Sequence, residues 1–260
     1  MKRTMKYALG ALLAAATMAS CEKDLMQYEG KNGMYFDTDG MVLDTVSVHW
    51  GLKNSDITEQ ELQLKVMLLG NVTDYDRTFN IEVETREGDD SAAVEGIHYE
   101  PMAKQYAIKA GESETTISIK LKRAAGLLDK PARFAIKLVE NDELAFIYTR
   151  YGSQMVDDTT VVSRPLDYQR AIYIDENFPI PNWWPYYGEM YFGTWSMKKA
   201  ILICDVLEID RELWMKDIVS GLTAGYLKFA GRYMQRWLND NPQYEDDGTL
   251  MVMGPDSQGF

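Results

Sequence analysis

The residue with the clearest chemistry in this chain is Cys21. It closes the apolar run Leu12-Leu13-Ala14-Ala15-Ala16-Thr17-Met18-Ala19-Ser20, with basic Lys2, Arg3 and Lys6 ahead of it. That order reads as an export signal cut before a cysteine whose sulfur then carries lipid. The apolar stretch from Tyr7 to Thr17 falls short of the roughly 20 residues a membrane-spanning helix needs. Small Ala19 and Ser20 suit a signal peptidase pocket. The expected product is a soluble domain held at a membrane by acyl chains, each buried CH₂ contributing about 0.8 kcal/mol.

Other residues could do chemistry if the fold brought them together. Cys204 sits in the run Ala200-Ile201-Leu202-Ile203 and reads as a buried, inert thiol. With Cys21 lipidated, no disulfide partner remains. His49 and His98 are the only histidines, in strand-like or turn-like contexts, too few for a Cys/His zinc cluster. Glu87, Asp89 and Asp90 share one turn, and Asp142 and Glu143 follow a later strand. Calcium wants six to eight oxygens at one point, which these acids could supply if the turns met at one end of the fold. The competing reading is a solvated acidic turn, with no cofactor. Trp183, Trp184, Tyr186, Tyr187, Tyr191 and Trp195 could present flat faces to sugar rings, or they could fill a seam in the interior. No Gly-x-Ser-x-Gly elbow, phosphate loop or His-Glu-x-x-His occurs.

The elements that must position these residues show two regimes. From Gly33 to about Arg150 the pattern has period two. Val46, Val48 and Trp50 alternate with polar residues, as do Phe79, Ile81 and Val83, and Ile117, Ile119 and Leu121; Leu62, Leu64, Val66 and Leu68 alternate with Gln63, Lys65 and Met67, and Phe134, Ile136 and Leu138 with Ala135 and Lys137. Strand side chains point alternately to opposite faces, so each segment has a buried and a wet side. Shorter strands are expected at Met34-Tyr35-Phe36 and from Gln105 to Ile108. About seven short strands separated by Gly, Asn and Asp predict an antiparallel, immunoglobulin-like β-sandwich. Beyond Asp210, Trp214, Ile218, Leu222, Tyr226, Phe229, Tyr233 and Trp237 step by three or four and predict a helical core stripe. Gly221, Gly225 and Gly231 weaken it and allow a break. The expected organisation is a signal peptide over 1–20, a tether over 21–32, a sandwich over 33–150, a connection over 151–165 and an α+β region over 166–260.

Composition narrows the function classes. The formal charge is −13, and cleavage before Cys21 removes Lys2, Arg3 and Lys6 to leave −16. So acidic a chain argues against nucleic acid and anionic lipid headgroups as partners. It is compatible with neutral glycans, cations or simple solubility outside the cell.

The stretch Ala93-Val94-Glu95-Gly96-Ile97-His98-Tyr99, followed by Tyr106-Ala107-Ile108-Lys109-Ala110-Gly111-Glu112, Ile117-Ser118-Ile119 and Phe134-Ala135-Ile136-Lys137-Leu138, resembles a Calx-beta-type sandwich. Together with Met34-Tyr35-Phe36 and Phe192-Gly193-Thr194-Trp195-Ser196-x-Lys198-Lys199, it is similar to a Bacteroidetes lipoprotein family of unknown function. Glu22, Lys23 and Asp24 resemble, with an interruption at Lys23, the acidic surface-export patch of such lipoproteins. The resemblance implies outer-membrane, cell-surface display, with a periplasm-facing anchor as the alternative. It also implies association with starch-utilisation-type transporters and a non-catalytic accessory role in glycan acquisition. The alternatives are a structural or adhesive protein-binding module, calcium-dependent through Glu87, Asp89, Asp90 and Asp142, and a hydrolase with an unrecognised site.

Overall fold

The computed structural model describes residues 30–38, 45–85, 88–155 and 161–258. Cys21 and Glu87 lie outside the described residues. Among those described, the strands are β1 (Gly33–Phe36), β2 (Thr45–His49), β3 (Glu59–Leu69), β4 (Arg77–Glu84), β5 (Gln105–Ile108), β6 (Glu114–Lys122), β7 (Ala132–Val139), β8 (Tyr151–Met155), β9 (Val161–Pro165) and β10 (Gln169–Asp175).

The expected β-sandwich forms. One sheet orders its strands β1-β3-β6 and the other β2-β10-β7-β4-β5, while β8 and β9 make a separate hairpin. The period-two residues do what their alternation requires. Leu64, Val66 and Leu68 of β3 and Ile117, Ile119 and Leu121 of β6 are buried in one core with Phe79 and Ile81 of β4 and Phe134, Ile136 and Leu138 of β7. The Gly96 turn has a structural reason. Gly96 has φ +82°, a left-handed conformation that costs glycine nothing, and its N–H donates to the Tyr99 carbonyl at 2.7 Å. The turn delivers the Tyr99 ring into the core, stacked on Phe134 with centroids 4.4 Å apart.

One strand lies beyond the expected end of the sandwich at residue 150. β10 inserts between β7 and β2, antiparallel to β7 and parallel to β2, with Ile172 opposite Val46 and Ile174 opposite Val48. Ile172 and Ile174 are fully buried, so the sheet is completed only after residue 169.

A second core follows. Phe178, Trp183, Trp184, Phe192, Ile203, Cys204, Trp214, Met234 and Met253 are buried together. Around it lie helix α1 (Met197–Leu207) and helix α2 (Ala224–Asp240). Ser196 caps α1 by accepting from the Lys199 N–H at 3.0 Å, and Thr223 caps α2 by accepting from the Tyr226 N–H at 3.3 Å. The expected break occurs: Asp210 caps a 3₁₀ turn over Arg211–Met215, and α2 begins only at Ala224.

The helical stripe needs correction. Trp214 and Leu222 are buried as expected, but Phe229 and Tyr233 are 57% and 45% exposed. The inward residues of α2 are Leu227, Ala230, Gly231, Met234 and Leu238. The cause is close approach. A Cβ on residue 231 would lie 2.3 Å from Ser257 Oγ and 2.6 Å from the Tyr191 carbonyl. Only a face built on small residues seats there, so Phe229 and Tyr233 turn outward, while Tyr226 and Trp237 pack half-buried against the second core.

Polar groups fasten the two cores together. The buried Arg211 guanidinium donates to the Gly51 carbonyl at 3.3 Å and the Lys53 carbonyl at 3.1 Å, both at the end of the sandwich. Arg123, bonded to Glu176, also donates to the Asn54 carbonyl at 2.7 Å. Within the C-terminal region itself, Lys199 is buried and reaches the Thr194 carbonyl at 3.0 Å and Glu245 at 3.3 Å. Ser196 donates to the same Glu245 at 2.6 Å, so the Ser196-x-x-Lys199 part of the sequence motif anchors the turn closed by the Tyr244–Leu250 bridge.

Candidate functional site

The nucleophile and base candidates are each committed elsewhere. Cys204 is 2% exposed, and the Trp214 indole N–H donates to its sulfur. Burial pushes the thiol up to about 12, far from the thiolate a nucleophile requires. His49 pairs through Nδ1 with the buried carboxylate of Asp175 at 2.7 Å, at the register where β2 meets β10. His98 accepts the Val94 N–H on Nδ1 at 2.9 Å, and burial lowers its pKa. The structure brings neither histidine to Cys204.

The acidic turns are not brought together. Asp89 accepts from Arg133 Nε at 2.6 Å and from the Ser91 N–H at 2.9 Å. Arg133 is the second residue of β7, whereas Asp142 follows its end. At about 3.3 Å per residue, the nine steps from 133 to 142 place these acids at opposite ends of the sandwich. Asp142 and Glu143 instead line a small cleft with Lys31, Tyr75 and Arg77. Among the described residues, no three His, Cys, Asp or Glu side chains gather to hold a metal ion.

The aromatic candidates divide. Trp183 and Trp184 are 5% and 2% exposed, which corrects the expectation that they offer their faces to a ligand. Trp183 stacks on Trp214 with centroids 5.3 Å apart, and Trp184 stacks on Phe192 at 5.4 Å. Their indole N–H groups donate to the Trp214 and Gly193 carbonyls at 3.0 and 3.2 Å, so no polar group is left to recruit a ligand. Trp195 meets Trp184 edge to face at 4.6 Å and is half-buried, as are Tyr187 and Tyr191. Tyr186 alone of this group stands out into solvent, 73% exposed.

The outward rings of α2 supply the faces that the tryptophans withhold. Phe229 lies 6.1 Å from both Tyr226 and Tyr233, forming a continuous row along the helix. Residues three and four apart are neighbours on a helix surface. Arg232 and Arg236, three residues beyond Phe229 and Tyr233, are therefore their neighbours, and Lys228 stands four before Arg232. Lys228 and Arg236 are exposed and make no ion pair among the described residues. The row extends about 12 Å from residue 228 to residue 236. Sequence reasoning missed it by assigning all the large rings to the core. The regular cations beside them were the available signal.

A cleft of about 600 Å³ on the sandwich is lined by Tyr35, Leu69, Ile147, Tyr148 and Arg150. Its guanidinium is held by two bonds to Asp167, at 2.9 and 2.7 Å, so the charge is already matched. Among the described residues no helix is long and apolar enough to cross a membrane.

No curated protein matches this sequence. Solved structures similar to it include the apo Calx CBD1 domain, at 14% identity over 56% of this chain and 99% of that chain, with a TM-score of 0.35. A Bacteroides ovatus protein of unknown function is similar at 14% identity over 50% of this chain and 53% of that one, with a TM-score of 0.32. A second Bacteroides ovatus protein, provisionally assigned as carbohydrate-binding, is 9% identical over 57% of this chain and 38% of that one, with a TM-score of 0.34. The family model described as domain of unknown function (DUF4843) matches residues 28–209, from the sandwich into the aromatic lobe, and the chain belongs to that family.

Proposed function

We propose that this is a non-catalytic lipoprotein of the outer membrane, anchored through Cys21 and displayed at the cell surface, where it binds glycan in support of a nutrient transporter. The tether rests on the order of basic, apolar and small residues before Cys21. The binding role rests on one observation: the rings of Phe229 and Tyr233 are held outward on a helix whose inner face is already filled. Exposed aromatic faces in a row match the weakly polar faces of sugar rings. The commitment of Cys204, His49 and His98 to internal bonds supports a binding role over a hydrolytic one.

The test is retention of the full chain on immobilised neutral and acidic polysaccharides, compared with the Phe229→Ala, Tyr233→Ala double variant. The reading expects retention that the variant loses while its circular dichroism is unchanged. Equal retention of both proteins, or none on any glycan, overturns it. Labelled fatty acid should enter the wild-type chain and not Cys21→Ser.

A further inference from the structure

We infer that the α2 row takes an acidic glycan, a polysaccharide bearing uronate carboxylates. This deepens the reading above and rests on it. The chain as a whole is acidic, at −13, yet the outward face of α2 reverses that sign locally. The exposed Lys228 and Arg236 flank Phe229 and Tyr233 along the chain, with Arg232 half-buried between them, and the acid of the helix, Asp240, sits at its final residue. Arg232 therefore lies three residues from Phe229 and Arg236 three from Tyr233, within reach across the helix surface, and Lys228 stands one turn before Arg232. A guanidinium is planar and pairs with a carboxylate through two parallel N–H donors, whereas an aromatic ring stacks on a flat apolar face. A uronic acid polymer carries both features on every unit: a sugar face and, beside it, a carboxylate. A neutral glycan would use the rings and leave the exposed Lys228 and Arg236 unused.

The same charge balance separates a glycan from a membrane. Seating α2 on an anionic bilayer would bring a wide area of this acidic surface within a Debye length, about 8–10 Å, of like charge. A single polysaccharide chain is narrow enough to touch the row alone.

The experiment compares the full chain on polygalacturonate and on fully methyl-esterified polygalacturonate, which keeps the backbone and removes the charge. The inference expects binding to the acid form to be tighter by about tenfold, from two exposed ion pairs, at Lys228 and Arg236. It also expects that preference to shrink with added salt. Lys228→Gln with Arg236→Gln should abolish the preference while keeping the weaker, ring-dependent binding to the ester. Equal affinity for the two polymers, unchanged in the charge variant, overturns the acidic assignment and leaves glycan binding standing. No binding to either polymer or to any neutral glycan overturns both. Binding to phosphatidylglycerol vesicles that depends on Lys228 and Arg236, without binding to the acid polymer, overturns the inference in favour of a membrane surface.

Discussion

Replacing Arg211 with Met tests how the aromatic lobe is fixed to the sandwich. The guanidinium makes three bonds that differ in environment: the Gly51 carbonyl at 3.3 Å, the Lys53 carbonyl at 3.1 Å and Asp205 Oδ1 at 2.9 Å. Asp205 is 57% exposed, so solvent screening keeps its share at about 0–1 kcal/mol. Gly51 is buried, and losing the donor leaves its carbonyl unpaired at about 1–3 kcal/mol. The half-buried Lys53 carbonyl adds a smaller amount. One term opposes these: the Arg211 Nε is buried without a partner, and Met removes that burden. Met also retains the apolar stem. The balance is a loss of about 2–3 kcal/mol for Arg211→Met and under about 1 kcal/mol for Asp205→Ala. Urea unfolding of the full chain reads both values. Hydrogen exchange should show faster exchange at residues 50–54 and 211–215 in Arg211→Met before elsewhere. A Met variant as stable as wild type, or an Asp205→Ala variant that loses as much as Arg211→Met, would refute the argument that the carbonyls dominate the ion pair.

Trp183→Ala should destabilise the protein by about 3–5 kcal/mol, because it empties a stacked, buried site, and thermal unfolding would show it. Tyr186→Ala, 73% exposed, should leave the unfolding temperature nearly unchanged in the same assay. Cys204 predicts an alkaline weakness. Its thiol is raised from 9.0 to about 12 in the folded chain, so above pH 9 the unfolded state releases a proton that the folded state keeps. Stability present below pH 9 is then lost as pH rises towards 12, by at most about 1.4 kcal/mol per unit. Cys204→Ala should flatten that part of the stability–pH curve. Native Cys204 should also resist alkylation at pH 8 and react once unfolded.

The sandwich was legible because its signal is local and two-faced. Leu64, Val66 and Leu68 alternate with Gln63, Lys65 and Met67, and the alternation alone says which side meets the core. The Gly96 turn was likewise written in its own residues. The place of β10 was not, because a strand joining β7 and a parallel partner at β2 depends on pairings more than 120 residues apart in the case of Asp175 and His49. The aromatic lobe was misread for a different reason. α2 has two apolar faces, and periodicity cannot say which one turns inward. Size suggested the rings, but the backbone of Tyr191 and the Ser257 side chain approach so closely that Ala230 and Gly231 had to face them. Trp183 and Trp184 are buried by stacking on Trp214 and Phe192, which left the candidate site on α2 instead of on the tryptophans.

The central claim is that ligand meets this protein on the outward face of α2. Oxidative footprinting of the full chain, with and without saturating polygalacturonate, tests it directly. The account predicts protection at Phe229 and Tyr233, with Tyr75 and Tyr148 of the sandwich unchanged. Protection confined to Tyr75 and Tyr148, or no protection at Phe229 and Tyr233 with glycan bound, would contradict it.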